Sequence, residues 1–268
     1  MQLSYSSDMS AGFPGQLAGI APPRTMSKAA LEPIGFGLAV VQSQADSDKC
    51  RLPMCNQVVL TITTHDLEAS NSTVGKVTVT SIVDGVRIEV ETTLTATVYA
   101  TSHAATLAAI ATKIAAVDGI ASATADGTND LITVVADPDV DVELSDFVTT
   151  LGSNQGTWTY TRSSTDKVIG VSLHTHALEM DAANEAIYPL NKAVSVLRAG
   201  SVNVKAEASS GPSAGGSVYV RFRDGGAGKP VGGFRKDADT DKAMLVSAAV
   251  FPSAIASAAV GAVDFNLP

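Results

Sequence analysis

The feature that most constrains the fold is a period-two alternation of apolar and polar residues, which recurs in both halves of this 268-residue chain. In the first half, Val86, Ile88 and Val90 alternate with charged neighbours and follow an Asp-Gly dipeptide. Alternation of this kind puts one set of side chains on one face of a β-strand, and Asp-Gly favours the two-residue turn of a hairpin. The pattern predicts a β-hairpin over residues 75–100.

The C-terminal half carries the same alternation. Val202 and Val204 alternate with polar residues, and so do Val218 and Val220 after a Gly-rich loop. A chain with 22 glycines, 5% aromatic residues and 17% charged residues suits β-sheets with many turns and small packed side chains. We predict a mainly β fold, with a sandwich-like or barrel-like β-domain formed by both chain ends.

One segment, residues 102–118, has helical periodicity. Its apolar side chains recur on a single stripe: Leu107, Ile110, Ile114 and Val117. Ser102 is a suitable N-cap and Gly119 a suitable C-terminal stop. Together with the hairpin and later short strands, this helix predicts a compact α+β module inserted at residues 64–162.

The domain organisation follows from these patterns. Residues 1–32 are rich in Gly and Pro, show no clean period, and predict an extended arm that is ordered by its partners. Residues 33–63 and 163–268 would form the β-rich domain around the inserted module. The uncharged stretch 243–263 is interrupted by Pro252 and rich in Ala and Ser, so we interpret it as strands and packing loops rather than a membrane span.

The net charge of −9 argues against nucleic acid as a partner, because such binding relies on basic side chains that neutralise phosphates. The two cysteines, Cys50 and Cys55, are too few for a secreted disulfide scaffold. They are interpreted as reduced, half-buried thiols, with a short local disulfide as the alternative. We find no signal peptide pattern at the start of the sequence and expect a cytosolic origin.

No residue pattern indicates an enzyme or a cofactor. His174 and His176 would share one face of a strand, but no third metal ligand is in view. The acidic run 137–146 lacks the spacing of a calcium loop and is interpreted as hydrated surface. The letters Gly-Pro-Ser-Ala-Gly at 211–215 lie between two strands, whereas a nucleophile elbow needs a strand-to-helix turn.

Segments at both ends of the chain carry a resemblance to a known family. They read GFPGQLA from residue 12, IGFGLAV from residue 34, VIGVS from residue 168, VSVLRAGSVNV from residue 194 and GSVYVR from residue 216. In this order they resemble the structural cement, or decoration, proteins of tailed bacteriophage capsids. The resemblance covers residues 5–60 and 166–268, and the inserted module departs from it.

The resemblance implies a non-enzymatic protein of the virion that binds the outer surface of the major capsid shell and bridges neighbouring capsomers. It implies a homotrimer whose inserted module projects outward, with no nucleic-acid or membrane partner. The expected capsid or subunit contacts come from the arm and from one basic loop: Phe13, Pro14, Leu17, Ile20, Arg221, Arg223 and Arg235. The alternative is a phage tail, spike or adhesion module whose inserted domain binds host glycan. Trp158 and Tyr160 would share one face of a strand, where they would form either a binding platform or, as we expect, a hydrophobic seam against the main domain.

Overall fold

The computed structural model describes residues 12–19, 22–150, 155–174 and 187–267. Within these residues the chain forms one α-helix and nineteen β-strands, which confirms the predicted mainly β fold. The elements of the first half are β1 (Arg24–Ala30), β2 (Ile34–Gly35), β3 (Ala39–Gln42), β4 (Lys49–Arg51), β5 (Gln57–Thr63), β6 (Ser72–Val83), β7 (Val86–Thr93), β8 (Thr97–Val98), α1 (His103–Ala115), β9 (Ile120–Asp126), β10 (Leu131–Ala136) and β11 (Val140–Thr150). Those of the second half are β12 (Thr157–Ser163), β13 (Val168–Ser172), β14 (Ile187–Tyr188), β15 (Ala193–Lys205), β16 (Ser217–Arg221), β17 (Phe234–Arg235), β18 (Ala243–Val250) and β19 (Val260–Asn266).

The β-rich domain is a small barrel with an attached sheet. Strand β1 pairs parallel with β4 and antiparallel with β15, and β3 and β13 complete the circuit of five strands. The sheet continues from β15 through β19, β18 and β16 to β17. The 13-residue strand β15 therefore belongs to both parts, and Val194, Val196, Val202 and Val204 are completely buried along it.

The uncharged C-terminal stretch forms strands, as the sequence predicts. Strands β18 and β19 lie in the extended sheet and pair with each other through Ala249 and Val250. Among the described residues, no helix has the length and apolar character needed to cross a membrane.

The α+β module consists of two sheets and the helix α1. One sheet has the order β12-β5-β10-β9, and the other has the order β11-β6-β7 with β8 beside β6. The helix packs its predicted stripe, Leu107, Ile110 and Ile114, into a core shared with both sheets. It begins at the N-cap Ser102, whose Oγ accepts a hydrogen bond from the N–H of Ala105.

Strand β5 lies in the module, whereas the sequence pattern placed residues 57–63 in the β-rich domain. It pairs antiparallel with β10 on one side and with β12 on the other. The alternating pattern identifies residues 57–63 as a strand with one buried face. It does not identify the neighbouring strands, because the same face would be buried in a sheet of either domain. Likewise, residues 24–30 form a strand of the barrel, although the sequence assigned them to the arm.

Candidate functional site

The described part of the arm, residues 12–19, lies against the barrel. The N–H of Gly15 donates to the carbonyl of Asn203 at 2.8 Å, and the N–H of His174 donates to the carbonyl of Gly15 at 2.8 Å. Leu17 then forms an antiparallel bridge with Val202 of β15. This segment is therefore anchored by main-chain hydrogen bonds that do not depend on its side chains.

Two glycines make this anchoring possible. Gly15 and Gly37 both have positive φ, at +82° and +67°. A Cβ added at Gly37 would lie 2.6 Å from the Cβ of Pro14, and one added at Gly15 would lie 2.7 Å from the backbone nitrogen of His174. The close approach of the two backbones requires glycine at both positions.

The arm presents apolar side chains to solvent at this anchored site. Phe13 is 49% exposed and Leu17 is 42% exposed, although both backbones are held in place. The Phe13 ring contacts the ring of His174 at a centroid distance of 4.7 Å, and Phe36 contacts the same imidazole at 4.7 Å. Pro14 is half-buried, and Ile20 lies outside the described residues.

Two of the three arginines of the predicted basic loop, Arg221 and Arg235, are buried inside the molecule. Arg221 is completely buried and donates from Nε and Nη2 to both carboxylate oxygens of Glu207, at 2.7 and 2.8 Å. Arg235 donates to the same carboxylate at 2.7 Å, and Asp239 pairs with both arginines. Arg223 is partly exposed and pairs with Glu143 of β11. The alternating pattern of the segment gave no signal that these guanidinium groups have internal partners.

A second buried arginine holds the point where the chain enters and leaves the module. The Nη1 and Nη2 groups of Arg51 each donate at 2.8 Å to the carboxylate of Asp166. Its Nε donates at 2.6 Å to Asp139, in the turn between β10 and β11. Asp166 also accepts the N–H of Met54 at 2.9 Å. Planar guanidinium groups suit this arrangement, because they bind carboxylates through two parallel hydrogen bonds.

Further ion pairs connect the module to the β-rich domain. Arg87 of β7 donates to Glu32 at 2.7 and 2.9 Å. The Nη1 group of Arg162 on β12 lies 3.3 Å from the carboxylate of Asp241, which lies before β18 and also accepts the backbone N–H of Arg162 at 2.8 Å. Including the Arg223–Glu143 pair, arginines are supplied from both sides of the junction. Part-buried pairs of this kind restrict the orientation of two packed units.

The acidic run 137–146 is partly internal rather than simply hydrated surface. Burial opposes the charge of Asp139, but hydrogen bonds from Arg51, Ser43 and the N–H of Gln44 outweigh it and lower the pKa. The pKa of Asp141 shifts in the opposite direction, because burial raises it to about 6. The hydrogen bond from the N–H of Cys55 and the charges of the nearby arginines lower this pKa, but burial outweighs them. The pKa values of these two nearby carboxyl groups, one in the turn before β11 and one on β11, therefore shift in opposite directions, because only Asp139 accepts hydrogen bonds directly from an arginine.

Cys50 and Cys55 are free, fully buried thiols. Burial raises the pKa of each to about 12. The predicted reduced state is confirmed, but both thiols are more deeply buried than expected.

One cluster within the described residues has metal-ligand chemistry: Asp66, His103 and Asp130. The Nδ1 of His103 accepts the N–H of Leu67 at 2.8 Å, and its Nε2 lies 3.0 Å from Asp130. A neutral imidazole that accepts at Nδ1 carries its proton on Nε2, so it has no lone pair left for a metal. His103, the first residue of α1, thus forms hydrogen bonds with the connection between β5 and β6 and with the turn between β9 and β10. Of the predicted histidine pair, His176 lies outside the described residues.

The aromatic pair of the module is largely internal. Trp158 is 8% exposed, contacts the Phe147 ring in a tilted arrangement with a centroid distance of 5.8 Å, and donates its indole N–H to Thr149 at 3.0 Å. The hydroxyl of Tyr160 accepts the N–H of Phe147 at 2.9 Å. These rings pack within the module, so they do not form an exposed platform for a sugar.

A cleft of about 1490 Å³ lies between the module and the β-rich domain. Its walls carry charges of both signs, including Glu89, Glu143 and Lys205, together with Phe13 of the arm. Among the described residues of its lining, we find no convergent nucleophile, base and oxyanion donor.

The chain belongs to the family of structural cement proteins (E217 gp24/Pam3 gp6), whose model matches residues 115–266. It is therefore a phage capsid cement protein, a structural and non-enzymatic component of the capsid that binds capsid proteins. The match begins at the end of α1 and includes strands β9 to β12, which the sequence resemblance left outside. The family pattern thus extends into the module.

A search of the solved structures finds a similar chain in "The capsid of Myoviridae Phage XM1". The two chains share 11% sequence identity with a TM-score of 0.47, over 99% of this chain and 97% of that chain. No curated protein matches the sequence.

Proposed function

We propose that the protein binds the outer surface of the major capsid shell as a homotrimer and stabilises it by bridging neighbouring capsomers. The proposal extends the capsid-cement function of the family to a position and a mode of action. A ligand that binds only the assembled shell stabilises that shell by mass action, without any chemistry at the contact. In this arrangement the α+β module projects outward, away from the shell.

The observation that carries the proposal is the combination of anchored backbone and exposed apolar side chains in the arm. Phe13 and Leu17 expose 49% and 42% of their surface on a segment fixed to β15 by main-chain bonds. An anchored apolar side chain loses little conformational freedom when a partner covers it, so more of the burial energy appears as affinity. Pro14 lies between them, and Ile20 extends the same predicted contact.

The buried arginines support a different role from the one the sequence suggested. The guanidinium groups of Arg221 and Arg235 both donate hydrogen bonds to Glu207, and Arg223 pairs with Glu143. We therefore place the proposed capsid contact on the arm, and assign these three arginines to the internal support of the loop before β18.

Binding to shells that lack the protein tests this assignment. Expanded shells are mixed with the purified protein, pelleted, and assayed for bound copies across a concentration series. We expect saturable binding for the parent, and about tenfold weaker binding for Phe13→Ala combined with Leu17→Ala, since central apolar contacts carry most interface energy. Leu245→Ala is the matched control, because Leu245 is also exposed (54%) but lies on β18. Equal binding by the arm variant and the parent would remove the arm from the contact.

The trimer is tested separately by native mass spectrometry of the free protein and of protein released from shells. A threefold complex in either sample supports the homotrimer. Only monomers or only even-numbered complexes in both samples would contradict it.

A further inference from the structure

Strand β7 is an exposed edge of the module. It pairs with β6 over its full length, from Val83–Val86 at the turn to Lys76–Thr93, and has no second neighbouring strand in the described part of the chain. Six of its eight residues are exposed. An edge strand of this length presents a row of backbone donors and acceptors that another strand can pair with, unless its side chains prevent it.

The hairpin turn determines which backbone groups point outward. Asp84 and Gly85 both have positive φ, at +50° and +80°, which is the two-residue type I′ geometry. In such a hairpin the residues flanking the turn form a hydrogen-bonded pair, and hydrogen-bonded and non-hydrogen-bonded pairs then alternate. The backbone N–H and C=O groups of Val86, Ile88 and Val90 therefore form hydrogen bonds with β6. The N–H and C=O groups of Arg87, Glu89 and Glu91 point to the open edge.

One face of β7 is apolar and uncovered. Val86, Ile88 and Val90 are 61%, 43% and 56% exposed, and Val83 across the turn is 47% exposed. On the same face of β6, Val77 and Val79 are buried in the module core. The apolar face of the sheet thus continues past the part that α1 covers.

The sequence of β7 is symmetric about Ile88. It reads Val86-Arg87-Ile88-Glu89-Val90, with valines at equal distance from the centre and opposite charges between them. Two antiparallel copies of such a segment, related by a twofold axis at Ile88, would place each Arg87 opposite a Glu89. They would also place each Val86 opposite a Val90.

We propose that β7 pairs antiparallel with β7 of a second copy of this chain, in the register that places Ile88 opposite Ile88. The two sheets join into one, with the outward backbone groups of Arg87 and Glu89 exchanging hydrogen bonds. Two Arg–Glu pairs lie on one face, and the exposed valines and isoleucines lie side by side in contact on the other face. Cross-strand pairs of these types stabilise antiparallel sheets.

The charges select this register over its neighbours. Moving the centre to Glu89 places two glutamates directly opposite each other, and moving it to Arg87 does the same with two arginines. In both shifted registers the outward-pointing backbone groups still face each other, but each register places two like charges directly opposite, which destabilises the pairing. Centring on Ile88 avoids like-charge pairs and leaves Glu91 opposite Gly85 of the other copy.

The existing contacts of β7 are compatible with this pairing. Arg87 uses Nε and Nη2 for Glu32 and Leu52, and its Nη1 makes no hydrogen bond within the described residues. Leu190 packs against the turn at Gly85, which holds the hairpin in place. A two-strand contact buries less area than a permanent interface, so we expect weak pairing in solution that strengthens where copies are crowded on a surface.

The proposal does not depend on the threefold arrangement or on the arm contact. A twofold contact through β7 would link neighbouring copies, or neighbouring trimers, into a network. Its failure would leave the proposed capsid contact of Phe13 and Leu17 untouched, because those residues lie on the arm, which is anchored to β15 rather than to β7.

Disulfide trapping of the full-length protein tests the register. In the proposed pairing the two copies of residue 88 form a non-hydrogen-bonded pair, the closest type of cross-strand pair, and this brings their Cβ atoms near disulfide distance. We expect Ile88→Cys to give a covalent dimer under mild oxidation at about 0.1 mM protein. Val90→Cys is the matched control, since its opposite residue is Val86. The native Cys50 and Cys55 are buried and do not compete.

Charge variants provide the second, independent measurement by sedimentation velocity. Glu89→Arg places arginines opposite each other in two pairs, and we expect dimerisation to weaken by about tenfold or more. Glu91→Arg makes the same charge change two residues away and should leave dimerisation within about twofold. Circular dichroism checks that both variants keep the parent fold.

Three results would overturn the proposal. Equal cross-linking of Ile88→Cys and Val90→Cys would indicate random collision rather than a register. Dimerisation of Glu89→Arg equal to that of the parent, or a parent that stays monomeric with no Ile88→Cys dimer, would exclude pairing through β7.

Discussion

Arg51 and Asp166 close the neck of the α+β module with two parallel hydrogen bonds of 2.8 Å, between side chains that are both completely buried. One residue precedes the module in the chain and the other follows it. Their contact therefore joins the two connections that link the module to the barrel, and Asp139 adds a third point of attachment through Nε of Arg51.

Removing one partner of this pair should strongly destabilise the folded protein. Asp166→Ala leaves Arg51 buried with one carboxylate instead of two, and we expect a loss of about 3–5 kcal/mol in the free energy of unfolding. Urea unfolding followed by circular dichroism measures it. Asp46→Ala is the control, because Asp46 pairs with Lys49 at the surface and exposed pairs contribute little. Equal unfolding midpoints for the two variants would contradict the role of the neck.

The stability effect of Asp141 should depend on pH. Its folded-state pKa is raised to about 6, so the folded chain binds more protons than the unfolded chain between about pH 4 and 6. Stability therefore falls as pH rises through this window, and the loss is complete above it. Asp141→Asn removes the buried charge, keeps an acceptor for the N–H of Cys55, and should stabilise the protein above pH 7 by about 3 kcal/mol.

Thermal unfolding at pH 4 and pH 7.5 measures this difference, which should nearly vanish at pH 4. Asp139→Asn provides a control of opposite sign. The pKa of Asp139 is lowered, so its charge contributes stability that is present above the unfolded pKa and lost as pH falls through the folded pKa. This variant should destabilise the protein at pH 7.5 and less so in acid. A pH-independent effect of Asp141→Asn would refute the assignment.

The prediction of the secondary structure was easier than that of the contacts. The hairpin turn at Asp84 and the helix stripe at Leu107 follow from local patterns that hold wherever the element packs. The ion pair between Arg221 and Glu207 could not be predicted in this way. Glu207 follows β15 and Arg221 ends β16, and a single sequence does not show which segments become neighbours. The same limit placed β5 in the wrong sheet.

The structure of the arm could be predicted only in part. Its Gly and Pro content indicates a segment without regular structure, but residues 24–30 form β1, and only the described residues 12–19 lack a strand of their own. The apolar side chains Phe13 and Leu17 can be identified from the sequence alone. The anchoring of Gly15 between His174 and Asn203 was not predictable, since it arises from a backbone approach between segments about 160 residues apart or more.

Docking of the arm should be sensitive to one glycine. Gly37→Ala adds a Cβ that collides with Pro14 at 2.6 Å, so we expect faster amide hydrogen exchange at Gly15 and Ala18, whose N–H groups bond to β15. Gly215→Ala is a matched control, because Gly215 also has positive φ (+71°) but nothing lies within 4 Å of its added Cβ. Unchanged exchange in Gly37→Ala would show that the arm tolerates the collision.

The two thiols should be inert in the folded protein. Both are buried and their pKa values are raised to about 12, so almost no thiolate is present at neutral pH. We expect no reaction with a thiol reagent under native conditions and two reactive groups per chain in denaturant. Rapid labelling of the native protein would contradict the burial of Cys50 and Cys55.

The central claim is that the protein stabilises an assembled capsid shell by bridging its subunits. Calorimetry of expanded shells, with the protein added in increasing amounts, tests it most directly. The account predicts that the temperature of shell disruption rises with added protein and levels off when the sites are filled. A disruption temperature that stays constant while the protein is shown to be bound would contradict stabilisation by bridging.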